Sequence, residues 1–325
     1  MPLNPLIPGS LKAVARVVKL VRARSESGCL HALASSCKLK HVGHHYLPHF
    51  SRPQNALNDR LPQTRDLTGQ LIVLGSGTSV GVPAIGCGCA VCGSTDPKNH
   101  RTRCAVILGL PEGNLLIDTP PDLRFQLLRE GIGIVHAVGY THEHTDHLMG
   151  LDDLRLMQFY LGEPVPIYCQ RKVEDRIRSA FAYAFDDGPD THPGATPKLE
   201  FRPINVEPFT VLGSQITPLP LLHGPHFTVL GFRVGNVAYC TDTSEIPPPT
   251  KALMQGLDVL ILDGLRHRPH PTHLSVEQAM ALAEELQVKQ TYLTHICHEL
   301  DHEETNAHLP AHVQLAYDGL VVPLD

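Results

Sequence analysis

Seven consecutive residues, Thr141-His142-Glu143-His144-Thr145-Asp146-His147, put four metal-ligating side chains, His142, His144, Asp146 and His147, within six positions. Imidazole nitrogens and a carboxylate oxygen together suit a borderline divalent cation. The residues before them, Ile134 to Thr141, read as a short buried strand, and an apolar-periodic run from Leu151 to Tyr160 follows. The ligands therefore lie on a loop between strand and helix, where a rigid scaffold can aim several side chains at one point. His142 and His144 are two apart and share a side of an extended segment, whereas Asp146 and His147 must point elsewhere. That division suits a second ion. A His-rich surface loop is the plain alternative in a chain with 21 His, but it does not require an apolar strand immediately upstream.

Further ligand types follow other predicted strands. His223 comes after Pro218 to Leu222, Asp242 after Tyr239 to Thr241, and His295 after Tyr292 to Thr294. Loops from different strands converge at strand ends, which is where pockets form. A single His or Asp there is usually a cap or a satisfied core residue. With the histidine loop they make seven ligands, enough for two ions sharing a carboxylate. A second cluster, Cys87-x-Cys89-x-x-Cys92, has the spacing of a metal site rather than a disulfide framework, and it points to a reducing compartment.

The elements that must hold these residues are legible in outline. Strands are expected at 71–74, 104–110, 114–118, 165–169, 209–212, 215–222, 228–234, 236–241, 258–263 and 289–294. Helices are expected at 122–130, stopped by Gly131, at 173–185, and at 275–286 with Ser275 as N-cap and Gln278 closing a capping box. Residues 186–198 are rich in Gly and Pro and read as a loop. Two strand-rich halves with flanking helices predict an α/β protein, sheets packed between helices.

Charge is unevenly spread. Residues 1–65 carry a net +8 and the remainder −14. The acidic remainder argues against a large nucleic-acid partner, which needs a basic face. No apolar run of about 18 residues is present, so no membrane span is expected. We assign 1–66 as a basic extension, disordered or loosely helical, with an amphipathic stretch from Ser10 to Ser27, and 67–325 as the folded domain. A cytoplasmic protein is expected, with organelle targeting by the basic segment as the lesser reading. A homodimer is compatible with the sequence.

The order H-x-H-x-D-H, then His, Asp and His, resembles the metallo-β-lactamase superfamily in its phosphodiesterase branch. Gly81 to Cys92, Pro218 to His223 and Leu293 to His298 resemble, more narrowly, the phosphoribosyl 1,2-cyclic phosphate phosphodiesterase family, over about residues 71–320. The resemblance implies an αβ/βα four-layer sandwich with a dinuclear site at one edge. It implies that His142, His144 and His223 hold one ion, that Asp146, His147 and His295 hold the other, and that Asp242 bridges them. It implies zinc, manganese or iron at that centre, a bridging hydroxide as nucleophile, Asp146 among the catalytic residues, and His273 as acid for the leaving group. His267 and His270 are lower-ranked candidates for that role. Asp118 is expected behind the ligands, orienting one of them. Cys87, Cys89, Cys92 and His298 are implied to hold one structural zinc. The turn at Gly75 to Val80, the segment Asp118 to Asp122 and residues 186–198 depart from the narrower pattern. They border the expected pocket, so a small phosphodiester is implied and a ribose cyclic phosphate or cyclic nucleotide is one form of it. A tRNase Z-like RNA 3′-processing endonuclease and a pyrroloquinoline quinone biosynthesis-type protein are the alternatives.

Overall fold

The computed structural model describes residues 63–186 and 191–324. The extension expected at 1–66 falls almost entirely outside them. Of its last residues, Arg65 already donates its backbone N–H to Gly131 O at 2.9 Å. Among the described residues no helix is long and apolar enough to cross a membrane.

The chain makes two seven-stranded mixed sheets. The first contains β1 (Gln70–Gly75), β2 (Ala105–Leu110), β3 (Gly113–Ile117), β4 (Ala137–Gly139), β5 (Val165–Cys169), β6 (Leu199–Pro203) and β14 (Val321–Pro323), in the order β14-β1-β2-β3-β4-β5-β6. The second contains β7 (Phe209–Val211), β8 (Ser214–His223), β9 (Phe227–Val234), β10 (Val237–Cys240), β11 (Val259–Asp263), β12 (Gln290–Thr294) and β13 (Val313–Leu315), ordered β13-β12-β11-β10-β9-β8-β7. Their facing sides share one core, built from residues such as Leu71, Val73, Ile117, Phe232, Tyr239 and Ile261. Each outer face carries its own core. Ile72, Leu74 and Leu116 pack outward with Leu123, Leu127 and Ile177, and Leu260, Leu262 and Leu293 with Val276, Ala279 and Ala283. Hence Leu71-Ile72-Val73-Leu74 is apolar throughout: alternate residues feed different cores, and both faces of the strand are buried. The result is the four-layer sandwich expected.

The helices on these faces are α1 (Leu123–Glu130), α2 (Thr145–Leu148), α3 (Met157–Leu161), α4 (Arg171–Ala180), α5 (Pro248–Leu253), α6 (Val276–Glu285) and α7 (His302–His308). Gly131 ends α1 at φ 67°, a conformation a side chain resists. The capping box on α6 is present in both directions, Ser275 with Gln278.

Several elements differ from the expectation. The strand before the histidine loop is only Ala137–Gly139. The run from Leu151 to Tyr160 is a 3₁₀ segment, Leu151–Leu156, followed by α3, with Leu151 and Leu154 buried. The helix placed at 173–185 starts at Arg171 and ends at Ala180, with a 3₁₀ turn after it. β6, β13, β14, α5 and α7 were not anticipated. The three strands lie at sheet edges and are short, and β6 and β13 lack a continuous apolar run.

Sheet direction decides where chemistry can occur. β3, β4 and β5 run parallel, as do β10, β11, β12 and β13. β8 is antiparallel to β9, which is antiparallel to β10, so β8 runs with that set. The carboxyl ends of β3, β4, β8, β10, β11 and β12 share one edge of the sandwich, since Asp118 after β3 bonds His147 after β4, and Asp242 after β10 meets both His147 and His295. Asp118, the histidine loop, His223, Asp242, Asp263 and His295 all emerge there.

Candidate metal centre

The donor atoms of His142, His144 and His223 lie within 4.8 Å of one another, as do those of Asp146, His147, Asp242 and His295. The two groups touch. His142 and His147 have ring centroids 4.2 Å apart, and His142 and His223 5.6 Å. Asp242 stands between ligands of the second group, with Oδ2 3.2 Å from His147 Nε2 and Oδ1 3.3 Å from His295 Nε2. Asp146 Oδ2 is 3.4 Å from His147 Nε2. The structure thus brings together all seven residues singled out as ligands. α2 achieves the division within the loop: His144 is its extended N-cap, and the helical turn swings Asp146 and His147 toward Asp242.

Backbone conformation contributes as well. Among the described residues five non-glycine positions have positive φ, and Asp118 (67°), Asp242 (56°) and His295 (59°) are three of them. Each lies within two residues of a strand's end. Left-handed backbone costs roughly 1–3 kcal/mol per residue and collects at functional sites. Here it turns three side chains off the sheet edge toward one point.

Hydrogen bonds fix which ring nitrogen faces inward. His147 Nδ1 donates to Asp118 Oδ2 at 2.8 Å. Thr141 donates its backbone N–H to Asp118 Oδ1 and its hydroxyl to Oδ2. With that hydroxyl proton spent, Thr141 Oγ1 accepts from His142 Nδ1 at 2.9 Å. His223 Nδ1 donates to Thr272 O at 2.9 Å. Asp118 therefore orients two imidazoles, one directly and one through Thr141, and three rings present Nε2 to the centre. Nε2 of His142 and His147 and both ring nitrogens of His295 are buried without a hydrogen-bond partner. Burial also holds the His142 and His295 imidazoles below their ordinary pKa, in the neutral form that ligates metals. Buried lone pairs without donors, gathered around carboxylates, fit divalent cations in both groups.

His273 sits against this centre. Its ring stacks on His295 at 4.5 Å and meets His223 at 4.9 Å. Its Nδ1 is 2.7 Å from Asp263 Oδ2, which also accepts the Thr243 backbone N–H at 3.0 Å. Asp263 is fully buried, and burial pushes its carboxyl well above the usual range, while burial lowers the His273 imidazole. Sequence reading passed over Asp263. The signal was an acidic residue ending an otherwise apolar buried strand, Val259 to Asp263. Of the lower-ranked candidates, His267 points outward and pairs with Glu277 at 2.7 Å, and the His270 ring lies tilted against His273 at 5.1 Å.

The cysteine cluster forms a second, separate group. Cys87, Cys89, Cys92 and His298 offer donors within 4.8 Å of one another, with His298 Nδ1 3.4 Å from the sulfurs of Cys87 and Cys89. The Cys92 backbone N–H and then His298 pull the Cys89 thiol down to about 6, which favours the thiolate that ligates metals. Three sulfurs and one imidazole fit a tetrahedral zinc. Cys297 points away, its Sγ accepting the Glu299 N–H at 3.4 Å.

Arg101 couples the two groups. It is 1% exposed and donates to Cys297 O at 3.0 Å, Leu300 O at 2.8 Å and Asn99 Oδ1 at 3.0 Å. Its backbone pairs with Val82 and so closes the cysteine loop. Its guanidinium thereby fastens that loop to the segment carrying both His295 and His298.

Comparison with known proteins agrees with this architecture. A solved diphosphatase from the PhnP family is 44% identical, over 78% of this chain and 96% of that one, with a TM-score of 0.73. Zinc-bound PqqB from Methylobacterium extorquens shares the fold at 20% identity and a TM-score of 0.63, covering 78% of this chain and 100% of that one. A protein named octanoyltransferase from Porphyromonas gingivalis is 37% identical over 258 residues, 78% of this chain, and the chain spans about half (51%) of that relative's length. The model of the beta-lactamase superfamily domain matches residues 113–296. With its two sheets, its edge of ligand-type residues and that match, the chain belongs to the beta-lactamase superfamily and has the metallo-β-lactamase fold of a hydrolase family.

Proposed function

We propose that this protein is a dinuclear metal-dependent phosphodiesterase acting on a small phosphodiester. The observation that carries the reading is Asp242, whose carboxylate lies within 4.8 Å of donor atoms of both groups, His147 and His295 on one side and His223 on the other. His142, His144 and His223 would hold one divalent ion, Asp146, His147 and His295 the other, and Asp242 would serve both. Zinc, manganese and iron all accept such donors. Bound there, divalent ions supply Lewis acidity toward phosphoryl oxygens and lower the pKa of water.

The remaining roles belong to the chain itself. Asp118 and Thr141 lock the tautomers of His142 and His147. Asp146, the most exposed carboxylate of the second group at 13%, meets a ligand entering from solvent. His273, held through Nδ1 by Asp263, turns Nε2 to the mouth of the centre, and in its imidazolium form it is placed to protonate a leaving oxygen. Cys87, Cys89, Cys92 and His298 would hold a structural zinc that anchors the segment bearing His295. The net −14 beyond residue 65 supports a small ester rather than a large nucleic acid.

The similar PhnP-family protein is named a diphosphatase, and this favours a second reading in which the bond cleaved is a phosphoanhydride. The same residues serve both. The test is hydrolysis of bis(p-nitrophenyl) phosphate, a nucleoside diphosphate, a thioester and a precursor tRNA, side by side with manganese or zinc. Turnover of the diester, abolished by chelator, is expected. Turnover of the diphosphate alone selects the second reading, cleavage confined to precursor tRNA selects the endonuclease, and activity on the thioester alone overturns phosphoryl transfer.

A further inference from the structure

The turn between β8 and β9 carries an aromatic side chain that the metal centre does not use. Phe227 opens β9 directly opposite His223, the last residue of β8. Its ring meets His144 edge-on at 5.6 Å and lies 6.4 Å from His223, yet the residue is 48% exposed. A lone exposed apolar side chain is ordinary on a protein surface. This one differs because it leans on two imidazoles of the centre and leaves part of its surface to solvent.

Its position is fixed from several sides. Gly224 has φ 69°, and a Cβ there would fall 2.7 Å from Thr272 Cγ2, so the turn packs tightly under the segment leading to His273. His223 Nδ1 donates to Thr272 O, Gly224 N–H donates to Ser244 Oγ at 2.9 Å, and Lys172 Nζ donates to Thr228 O at 2.6 Å. The rings of Phe227, His223, His273 and His270 thus form a continuous run along one side of the centre.

We propose that Phe227 is a stacking face for a planar ring on the organic part of the substrate. This rests on the phosphoryl-transfer reading and sharpens it: the enzyme is directed to nucleoside-bearing phosphate esters rather than to a bare sugar phosphate. Base–aromatic stacking is sequence-tolerant, and truncating one such platform costs about tenfold in affinity.

Adenosine 5′-monophosphate and ribose 5-phosphate share phosphate and sugar and differ in the planar base. Their inhibition constants are to be measured against bis(p-nitrophenyl) phosphate turnover by the full-length metal-loaded enzyme. The wild type is expected to favour the adenosine compound about tenfold. Phe227→Leu is expected to bring the ratio near one and to raise KM for the diester, Phe227→Trp to retain the preference, and Phe125→Ala, on α1, to leave it unchanged. Equal inhibition of the wild type by the two phosphates, or a preference that survives in Phe227→Leu, overturns the stacking role while leaving the phosphodiesterase standing. A wild type that hydrolyses no phosphate ester or anhydride overturns the underlying function, and the stacking role with it.

Discussion

Replacing Asp263 by Asn isolates what a buried carboxylate does for His273. Asp263 Oδ2 accepts two donors, Thr243 N–H at 3.0 Å and His273 Nδ1 at 2.7 Å, while Oδ1 is buried without a partner. An amide nitrogen placed at the Oδ2 position would face the Thr243 donor, so the Asn side chain must put its oxygen there. That oxygen still accepts from Nδ1–H, so the ring keeps its orientation and Nε2 still faces the centre, able to carry the second proton of the imidazolium. The negative charge is lost, and the amide NH2 takes the partnerless Oδ1 position. A hydrogen bond to a charged group is worth roughly 1.5–3 kcal/mol net and a neutral one roughly 0.5–1.5. The protonated imidazole should therefore lose about 1–1.5 kcal/mol, or roughly tenfold in kcat. Shape is conserved, so metal content and KM should hold. The assay is steady-state hydrolysis of bis(p-nitrophenyl) phosphate with elemental analysis, repeated in a His273→Ala background. There Asp263→Asn should add less than a factor of about two, because partners in one unit are not additive. A fall of about a thousandfold would show that the tautomer had flipped. Wild-type turnover, or full additivity with His273→Ala, would refute the coupling altogether.

Other outcomes follow from the same geometry. His273→Ala should retain its metals and lose roughly a hundredfold or more in kcat; near-normal turnover removes the acid role. Asp118→Asn leaves His147 without its carboxylate and should weaken metal binding about 10–100-fold, measured by chelator competition; unchanged affinity would count against an orienting role. Wild-type protein should contain about three metal ions per chain. Cys89→Ser should lose the structural zinc and, through the segment between His295 and His298, also lower occupancy at the dinuclear centre. Unchanged metal at both places would refute that linkage. Arg101→Met removes donors from Cys297 O, Leu300 O and Asn99 Oδ1 and should destabilise the fold by roughly 3 kcal/mol or more, since each buried acceptor left unpaired costs about 1–3. A melting temperature within a degree or two of wild type would contradict the clamp.

What could be read from sequence was what local chemistry encodes. Residues with unusual chemistry packed at short spacing, such as the His142 to His147 loop and the three cysteines, announce themselves. So do strands buried on both faces, because short continuous apolar runs such as Leu71 to Leu74 and Val259 to Leu262 suit few places besides the middle of a covered sheet. Edge elements were illegible for the converse reason. β6, with no buried side chain, and the three-residue β13 and β14 are held by neighbours rather than by their own pattern. Asp263 shows the deeper limit. Its chemistry depends on His273, ten residues away, and on Thr243, twenty residues away, converging on one oxygen. Before the fold is known, it looks like any acid ending a strand. Phe227 is similar: an aromatic at a strand start is ordinary until the antiparallel register sets it opposite His223 and beside His144. The ligands are carried by residue type, but the groups that orient them and bound the substrate are carried by register, left-handed backbone and tertiary hydrogen bonds. Variation among proteins of this fold should therefore concentrate in the second set, and substrate choice should change with positions such as Phe227 while the seven ligand positions stay fixed.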